Sequence, residues 1–240
     1  MKDWFTNWFG KEYLDLYPHR NAVEARKSVE MIRATIGRDP SPSRILDLAC
    51  GAGRHSRVLR EWAWTVGLDL SMTMLEVARQ EDATGPYVRA DMRVLPFATA
   101  SFGLVVNLFT SFGYFDSDAQ HATVIAEVAR VTHPGGTFVM DFLNADAVRR
   151  TLVPVDRHIV DGKEVTQRRT ISDDGRYVEK IIAADDCDRT YKERVRLFSP
   201  EELRTMLEQN GFVIRRQDGN YDGSAWTADS PRVILFAERA

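Results

Sequence analysis

Cysteine is almost missing from this 240-residue chain, which holds two, Cys50 and Cys187, far apart and outside any Cys-x-x-Cys or Cys/His cluster. A disulfide framework and a structural zinc site are thereby excluded, no metal is expected, and a reducing compartment is the default. An excess of one charge is missing too. Thirty-two basic side chains face 35 acidic ones, a net charge of −3, which gives no global attraction to nucleic acid or to an anionic membrane. Long apolar runs are absent: none approaches the roughly 18–20 residues of a membrane span. The N-terminal MKDWFTNWFG breaks its apolar stretch with Asp3 and polar residues, unlike a secretion signal. A cytoplasmic globular protein is therefore expected, without nucleic-acid or membrane partners. With 44% hydrophobic residues, a chain of this length suits one large domain burying about 70–75% of its unfolded surface.

What is present is an alternation. Short apolar runs at Arg44–Ala49, Trp64–Leu70, Phe102–Phe109 and Gly136–Leu143 are separated by helical patterns at Arg54–Trp62, Met72–Glu81 and Ala119–Val131. This spacing predicts βαβ units and a parallel sheet whose strands are covered on both faces. Ahead of it, Asn21–Ile36 reads as a helix burying Val23, Val29, Ile32 and Ile36. The aromatic stretch Trp4, Phe5, Trp8, Phe9, Tyr13, Tyr17 is either a clamp that packs this helix onto the sheet or a lid over a cofactor.

From about Thr151 to Phe198 the chain becomes alternating and charge-rich, with a hairpin turn at Asp173-Asp174-Gly175, and predicts three or four antiparallel strands. Residues 149–197 hold twelve basic and ten acidic side chains; the near-balance reads as a solvated sheet face rather than a nucleic-acid surface. Ser199-Pro200-Glu201-Glu202 then starts a helix that Asn210-Gly211 closes, and Phe212–Arg216 and Val233–Glu238 are the last strands.

The stretch with most chemical content is Ile45–Ser56, ILDLACGAGRHS: a buried strand, a turn with Gly51 and Gly53, and a helix start that offers unpaired N–H groups to a ligand. It lacks the third glycine of a dinucleotide fingerprint, having Ser56 there. Asp47, just before the turn, would repel a pyrophosphate but not a cationic amine or sulfonium. Asp69, eighteen residues after Gly51 and at the end of the next strand, can accept both hydroxyls of an adenosine ribose; its alternative is a helix cap. Asp91, closing a third short strand, can accept from an adenine amino group. Cys50 with His55 nearby could form a nucleophile–base pair, although the glycine loop already accounts for a small residue at 50.

Taken in order, DLACGAGRHS, GLDLS, RADMRVLPF, FGLVVNLFTSFGYF and HPGGTFVMDF resemble a class I S-adenosylmethionine-dependent methyltransferase, strongly over residues 40–145. The resemblance implies a Rossmann-like, doubly wound seven-stranded sheet of order 3-2-1-4-5-7-6 with its last strand antiparallel. Residues 1–240 would form one domain, with 1–37 an N-terminal lid and helix. Residues 151–198 would be a small antiparallel β insertion, either folded over the acceptor side or pairing two subunits. The implied activity is methyl transfer from S-adenosylmethionine, by in-line displacement, to a small-molecule acceptor, by a monomer or homodimer that releases S-adenosylhomocysteine. Implied donor contacts are Asp47, Ala49, Gly51 and Gly53 at the methionine moiety, Asp69 with Leu70 at the ribose, and Asp91 with Met92 at the adenine. Asn107 and Leu108 would lie by the sulfonium, and Tyr17 and Arg20 in a lid over the donor. Ala49 departs from the pattern, standing where many members have the first of three glycines. The acceptor is expected over Asn107–Phe115, with Tyr114, Ser111 and Asn107 positioning it. No Asn-Pro-Pro-Tyr signature follows Asn107, which argues against nucleobase or protein-amide acceptors.

Overall fold

A computed structural model of the chain describes residues 4–16, 22–37, 42–160, 162–184 and 190–240. Two short helices, α1 (Phe5–Trp8) and α2 (Lys11–Leu16), precede α3 (Ala22–Ile36). Alternating units follow: β1 (Ile45–Leu48), α4 (Arg54–Arg60), β2 (Thr65–Asp69), α5 (Met72–Glu81), β3 (Tyr87–Arg89), β4 (Phe102–Asn107), α6 (Asp118–Val131) and β5 (Thr132–Leu143). Then α7 (Ala145–Thr151) leads into β6 (Val155–Val160), β7 (Lys163–Ile171), β8 (Tyr177–Ala184) and β9 (Thr190–Arg196), and α8 (Pro200–Gln209), β10 (Phe212–Asp218) and β11 (Arg232–Arg239) close the fold.

Seven strands form a sheet of order β3-β2-β1-β4-β5-β11-β10, with β11 antiparallel to both its neighbours. This is the expected Rossmann-like order. Successive side chains of a strand point to opposite faces, and both faces of the sheet's centre are covered, so β1, β2 and β4 are buried at nearly every position. Leu46, Leu48, Val105, Phe138 and Met140 pack with α6 and α8 residues on one side; Ile45, Leu104, Val106 and Val139 pack with Val29, Ile32, Val58 and Leu59 of α3 and α4 on the other. Residues 155–196 form a separate antiparallel sheet of order β6-β7-β8-β9.

Helix starts follow the chemistry of their caps. Ser71, Ser117 and Asn144 each accept a backbone N–H from the first turn of α5, α6 and α7. Ser199 and Glu202 form a reciprocal capping box at α8. Three details depart from the sequence expectation. Val23, expected inside, is 65% exposed, and Ala25, Ser28 and Met31 share the buried side of α3 instead. The His133-Pro134-Gly135 turn is a bulge within β5, where pairing with β4 jumps from Phe102↔Thr132 to Leu104↔Thr137. Helix α7 was not expected, and β6 is the fourth strand that the alternating segment allowed without placing it.

The N-terminal segment is fastened to the second sheet. The Trp8 indole N–H donates to Glu193 at 2.7 Å, and its ring lies 4.4 Å from that of Tyr191 and against Val165 and Ile182. Trp4 and Phe9 pack on Tyr114, and Phe5 on Phe115. Among the described residues no helix is long and apolar enough to cross a membrane.

Candidate active site

A cavity of about 1020 Å3 lies between the carboxyl ends of β1, β2 and β4, the N-terminal segment and the second sheet. That edge of a parallel sheet is where ligands of open α/β folds bind. Ala49, Gly51, Asp69, Leu70, Asp91, Met92 and Leu108, all predicted from sequence, line it, and so do Ser111 and Tyr114. Asp47, Gly53 and Asn107 do not. Tyr17 and Arg20, and His19 between them, lie outside the described residues.

The loop after β1 owes its shape to three residues in the left-handed region, Ala49 (φ 61°), Gly51 (φ 55°) and Gly53 (φ 76°). At Gly53 a glycine is also needed for space, because a Cβ there would come within 2.6 Å of the Tyr87 hydroxyl. Ala49 adopts this conformation at a steric cost that glycine would avoid. Asp69 ties the loop to α5: its carboxylate accepts the N–H of Gly51 and the N–H of Ser71, each at 2.8 Å. The cap of α5 is therefore Ser71, with Asp69 bracing it. Burial pulls Asp69 above the usual carboxylate range, against those backbone N–H groups.

Asp47 sits under the loop, 1% exposed, and accepts from the Ser56 hydroxyl at 2.6 Å. Burial pushes its pKa up to about 6, the Ser56 bond opposing and the Asp69 charge adding to the rise. The nucleophile–base pair is not supported. Burial, with Asp47 and Asp69, pushes the Cys50 thiol well up, and burial beside Arg54 and Arg232 holds His55 well below the ordinary histidine range. Asp91 is gripped by Arg93, whose Nη2 lies at 2.6 Å. Burial raises its pKa, but the Arg93 bonds and charge win and leave it low.

On the far side, Phe109 (φ 60°) and Thr110 (φ 62°) are consecutive left-handed residues. Asp141, fully buried, accepts the Phe109 N–H at 2.7 Å and the Tyr221 hydroxyl at 2.5 Å, and pairs with Arg232. Arg232 also donates to the Thr110 hydroxyl at 3.2 Å. The Phe109 ring has Arg54 at 4.5 Å and Arg232 at 5.3 Å. The polar tips expected to face a ligand are used within the loop: Tyr114 donates to the Thr110 carbonyl at 2.6 Å and Ser111 to the Leu108 carbonyl at 2.9 Å. Asn107 is buried and joins the strand end to the loop by donating to Leu48 and Ser111 carbonyls.

Sequence reasoning missed two groups of residues. Asp141, Arg232 and Tyr221 carried one usable signal, an acid inside the apolar run GTFVMDFL. Asp156, Arg169, Lys180 and Glu193 of the second sheet line the cavity, although their segment reads in sequence as a solvated face. Alternation alone cannot tell which face of a strand meets another part of the protein.

A family profile described as a methyltransferase domain matches residues 45–136. The chain is 30% identical over 186 residues to a dTDP-3-amino-3,4,6-trideoxy-alpha-D-glucopyranose N,N-dimethyltransferase of Streptomyces venezuelae, covering 70% of this chain and 73% of that protein. Its fold matches an S-adenosylmethionine-dependent methyltransferase from Clostridium acetobutylicum with TM-score 0.83 at 18% identity, over 95% of this chain and 96% of the other. It also matches an S-adenosylmethionine-bound amino pentose methyltransferase from Micromonospora echinaspora with TM-score 0.70 at 22% identity, over 96% and 97%.

Proposed function

The chain belongs to the class I S-adenosylmethionine-dependent methyltransferases, and we propose that it methylates a small molecule held between the loop after β4 and the second sheet. The observation that carries this reading is the single cavity that joins the glycine loop and Asp69 at one end to Thr110, Tyr114 and the second sheet at the other. S-adenosylmethionine, when bound, supplies a methyl group already activated by its sulfonium, and S-adenosylhomocysteine is released.

The tasks left to the protein are orientation and exclusion of water. Ala49, Gly51 and Gly53 would shape the cradle for the methionine moiety, with Asp47 buried beneath the loop, where its charge would favour a cationic ligand without touching it. Asp69 and Leu70 would hold the ribose, and Asp91 and Met92 the adenine. The acids at this end fit a ligand that carries cationic groups and offers ribose hydroxyls and an adenine amine as donors. Asn107 and Leu108 would brace the junction near the sulfonium, with Tyr17 and Arg20 closing over the donor from the N-terminal segment. Trp4, Phe5 and Phe9 on the cavity wall support a covering role for that segment. On the acceptor side, Thr110, Ser111 and Tyr114 would act as one hydrogen-bonded platform. The same reading puts the enzyme in the cytoplasm as a monomer or homodimer, without nucleic acid.

Calorimetry with S-adenosylhomocysteine and NADH tests the cofactor: micromolar binding of NADH with none of S-adenosylhomocysteine refutes the reading. Release of S-adenosylhomocysteine during a screen of metabolite pools identifies the acceptor.

A further inference from the structure

The cavity face of the second sheet carries a row of charge across all four strands. Arg169 of β7 stands directly opposite Lys180 of β8, and Lys180 directly opposite Glu193 of β9. Asp156 of β6 lies 3.7 Å from Arg169. The order across the sheet is thus carboxylate, guanidinium, ammonium, carboxylate, with the two cations in the middle. All four line the cavity, and the Lys180 and Glu193 side chains are each only 15% exposed. The next cavity-facing pair, Val178 and Val195, is apolar. On the other side of the row Ile182 packs on Trp8.

Like charges directly opposite one another on adjacent strands repel, and the carboxylates of Asp156 and Glu193 offset part of that repulsion from the outer sides of the row. Fastening the N-terminal segment accounts for part of the row: Glu193 accepts from the Trp8 indole and pairs with Lys180 at 2.5 Å. It does not account for Arg169, which adds a second positive charge beside Lys180; its guanidinium donates to the Gln167 side-chain oxygen at 2.5 Å and to the Val153 carbonyl at 3.4 Å, and its carboxylate, Asp156, lies on the side away from Lys180. An oxyanion placed between the two cations would relieve their repulsion, and would meet a guanidinium fork beside an ammonium, the donor set suited to carboxylate or phosphate.

We propose that Arg169 and Lys180 bind an acidic group of the acceptor, a carboxylate or a phosphate, so that the molecule methylated is an anion. This rests on the methyltransferase reading, since the row faces the acceptor end of the donor cavity.

The test is calorimetric titration of the protein saturated with S-adenosylhomocysteine, using inorganic phosphate in one arm and acetate in the other. Saturable millimolar binding of at least one anion is expected, and which one binds separates the two sources. Arg169→Gln should weaken it tenfold or more. This variant leaves the Lys180–Glu193 pair and the Trp8 bond in place, so it keeps the N-terminal segment fastened. Lys180→Gln should have the same effect, and Lys180→Arg should retain binding within about threefold. Arg157→Gln, on a side chain 61% exposed and outside the cavity lining, should bind as wild type. No saturable binding of either anion, or equal binding by wild type and Arg169→Gln, overturns the proposal. If the wild-type protein fails to bind S-adenosylhomocysteine, it is the methyltransferase reading that falls.

Discussion

Replacing Asp69 by alanine separates the two things this carboxylate can do. It accepts two backbone N–H groups, from Gly51 and Ser71, and it borders the cavity where a ribose would lie. Without it, both N–H groups face a cavity that water can enter, and the burial cost that raises its pKa disappears. The loss of stability should therefore stay near the lower end for two such bonds, about 1–2 kcal/mol. For a chain of this size that lowers Tm by about 2–8 °C. If Asp69 holds the ribose as proposed, the donor loses more, because two charge-assisted bonds to its hydroxyls would vanish: about 2–3 kcal/mol, or a 30- to 150-fold weaker Kd. Thermal melts of the ligand-free protein give the first quantity and calorimetry with S-adenosylhomocysteine the second. Asp69→Asn should fall between, since its one oxygen can serve only part of the set. A lowered Tm with ligand affinity within threefold of wild type would show that Asp69 only braces the loop, and the ribose assignment would fail.

Asp47, raised to about 6 by burial, binds its proton more tightly folded than unfolded. Its contribution is fully present below about pH 4 and is lost as pH rises through 6, some 3 kcal/mol in all. Urea melts of wild type and Asp47→Asn at pH 4 and pH 7.5 should show the variant gaining about 2–3 kcal/mol relative to wild type at the higher pH; a pH-independent difference contradicts the raised pKa. Ala49→Gly relieves a left-handed alanine but loosens the unfolded chain, so stability should rise by up to about 1 kcal/mol, and a clear decrease in the urea midpoint speaks against strain at this position. Tyr114→Phe frees the Thr110 carbonyl and should cost about 1 kcal/mol of stability with donor affinity within about threefold. Turnover should then fall only a few-fold, and a loss of a hundredfold or more would mean that the hydroxyl touches the reacting groups.

The core of the seven-stranded sheet was legible because burial on both faces makes short, nearly unbroken apolar runs of its central strands, and the turns between them are punctuated by Gly, Pro and Ser. Even the start of α8 at Ser199 and the span of α5 followed from local chemistry. Helix α7 was missed because its seven residues, ADAVRRT, are too few to show a period. At the site, seven of the ten described residues that the five motifs single out for the donor line the cavity, and Asp47, Gly53 and Asn107 do not. Their partners were not readable. That Ser71 shares Asp69, that Arg93 occupies Asp91, and that Tyr114 turns its hydroxyl to its own loop are contacts decided by a few ångströms of backbone path. The second sheet exposes the same limit. Arg169 and Glu193 have polar neighbours on both sides, and Lys180 lies between Glu179 and Ile181, so the pattern marks a strand without saying which face is covered.

The loop after β4 shows why a buried charge cluster sits beneath the site. Two successive left-handed residues, Phe109 and Thr110, neither of them glycine, carry a strain of about 1–2 kcal/mol each. The surroundings must over-determine that path for it to persist. Asp141 does so from the middle of an otherwise apolar strand: its side chain takes the Phe109 N–H and its backbone carbonyl the Thr110 N–H. A lone carboxylate could not remain there, fully buried, without compensation, and Arg232 and Tyr221 supply it from the last strand and the loop before it. An apolar trio of similar volume would pack at least as well, but would offer no acceptor to Phe109 and no donor to Thr110. Arg232 also lies over the Phe109 ring, as Arg54 does, so the ring is held by the glycine-loop helix and by the final strand. The part of the cavity lining formed by Phe109 and Thr110 is thus fixed by contacts from both halves of the sequence, so no single stretch accounts for it.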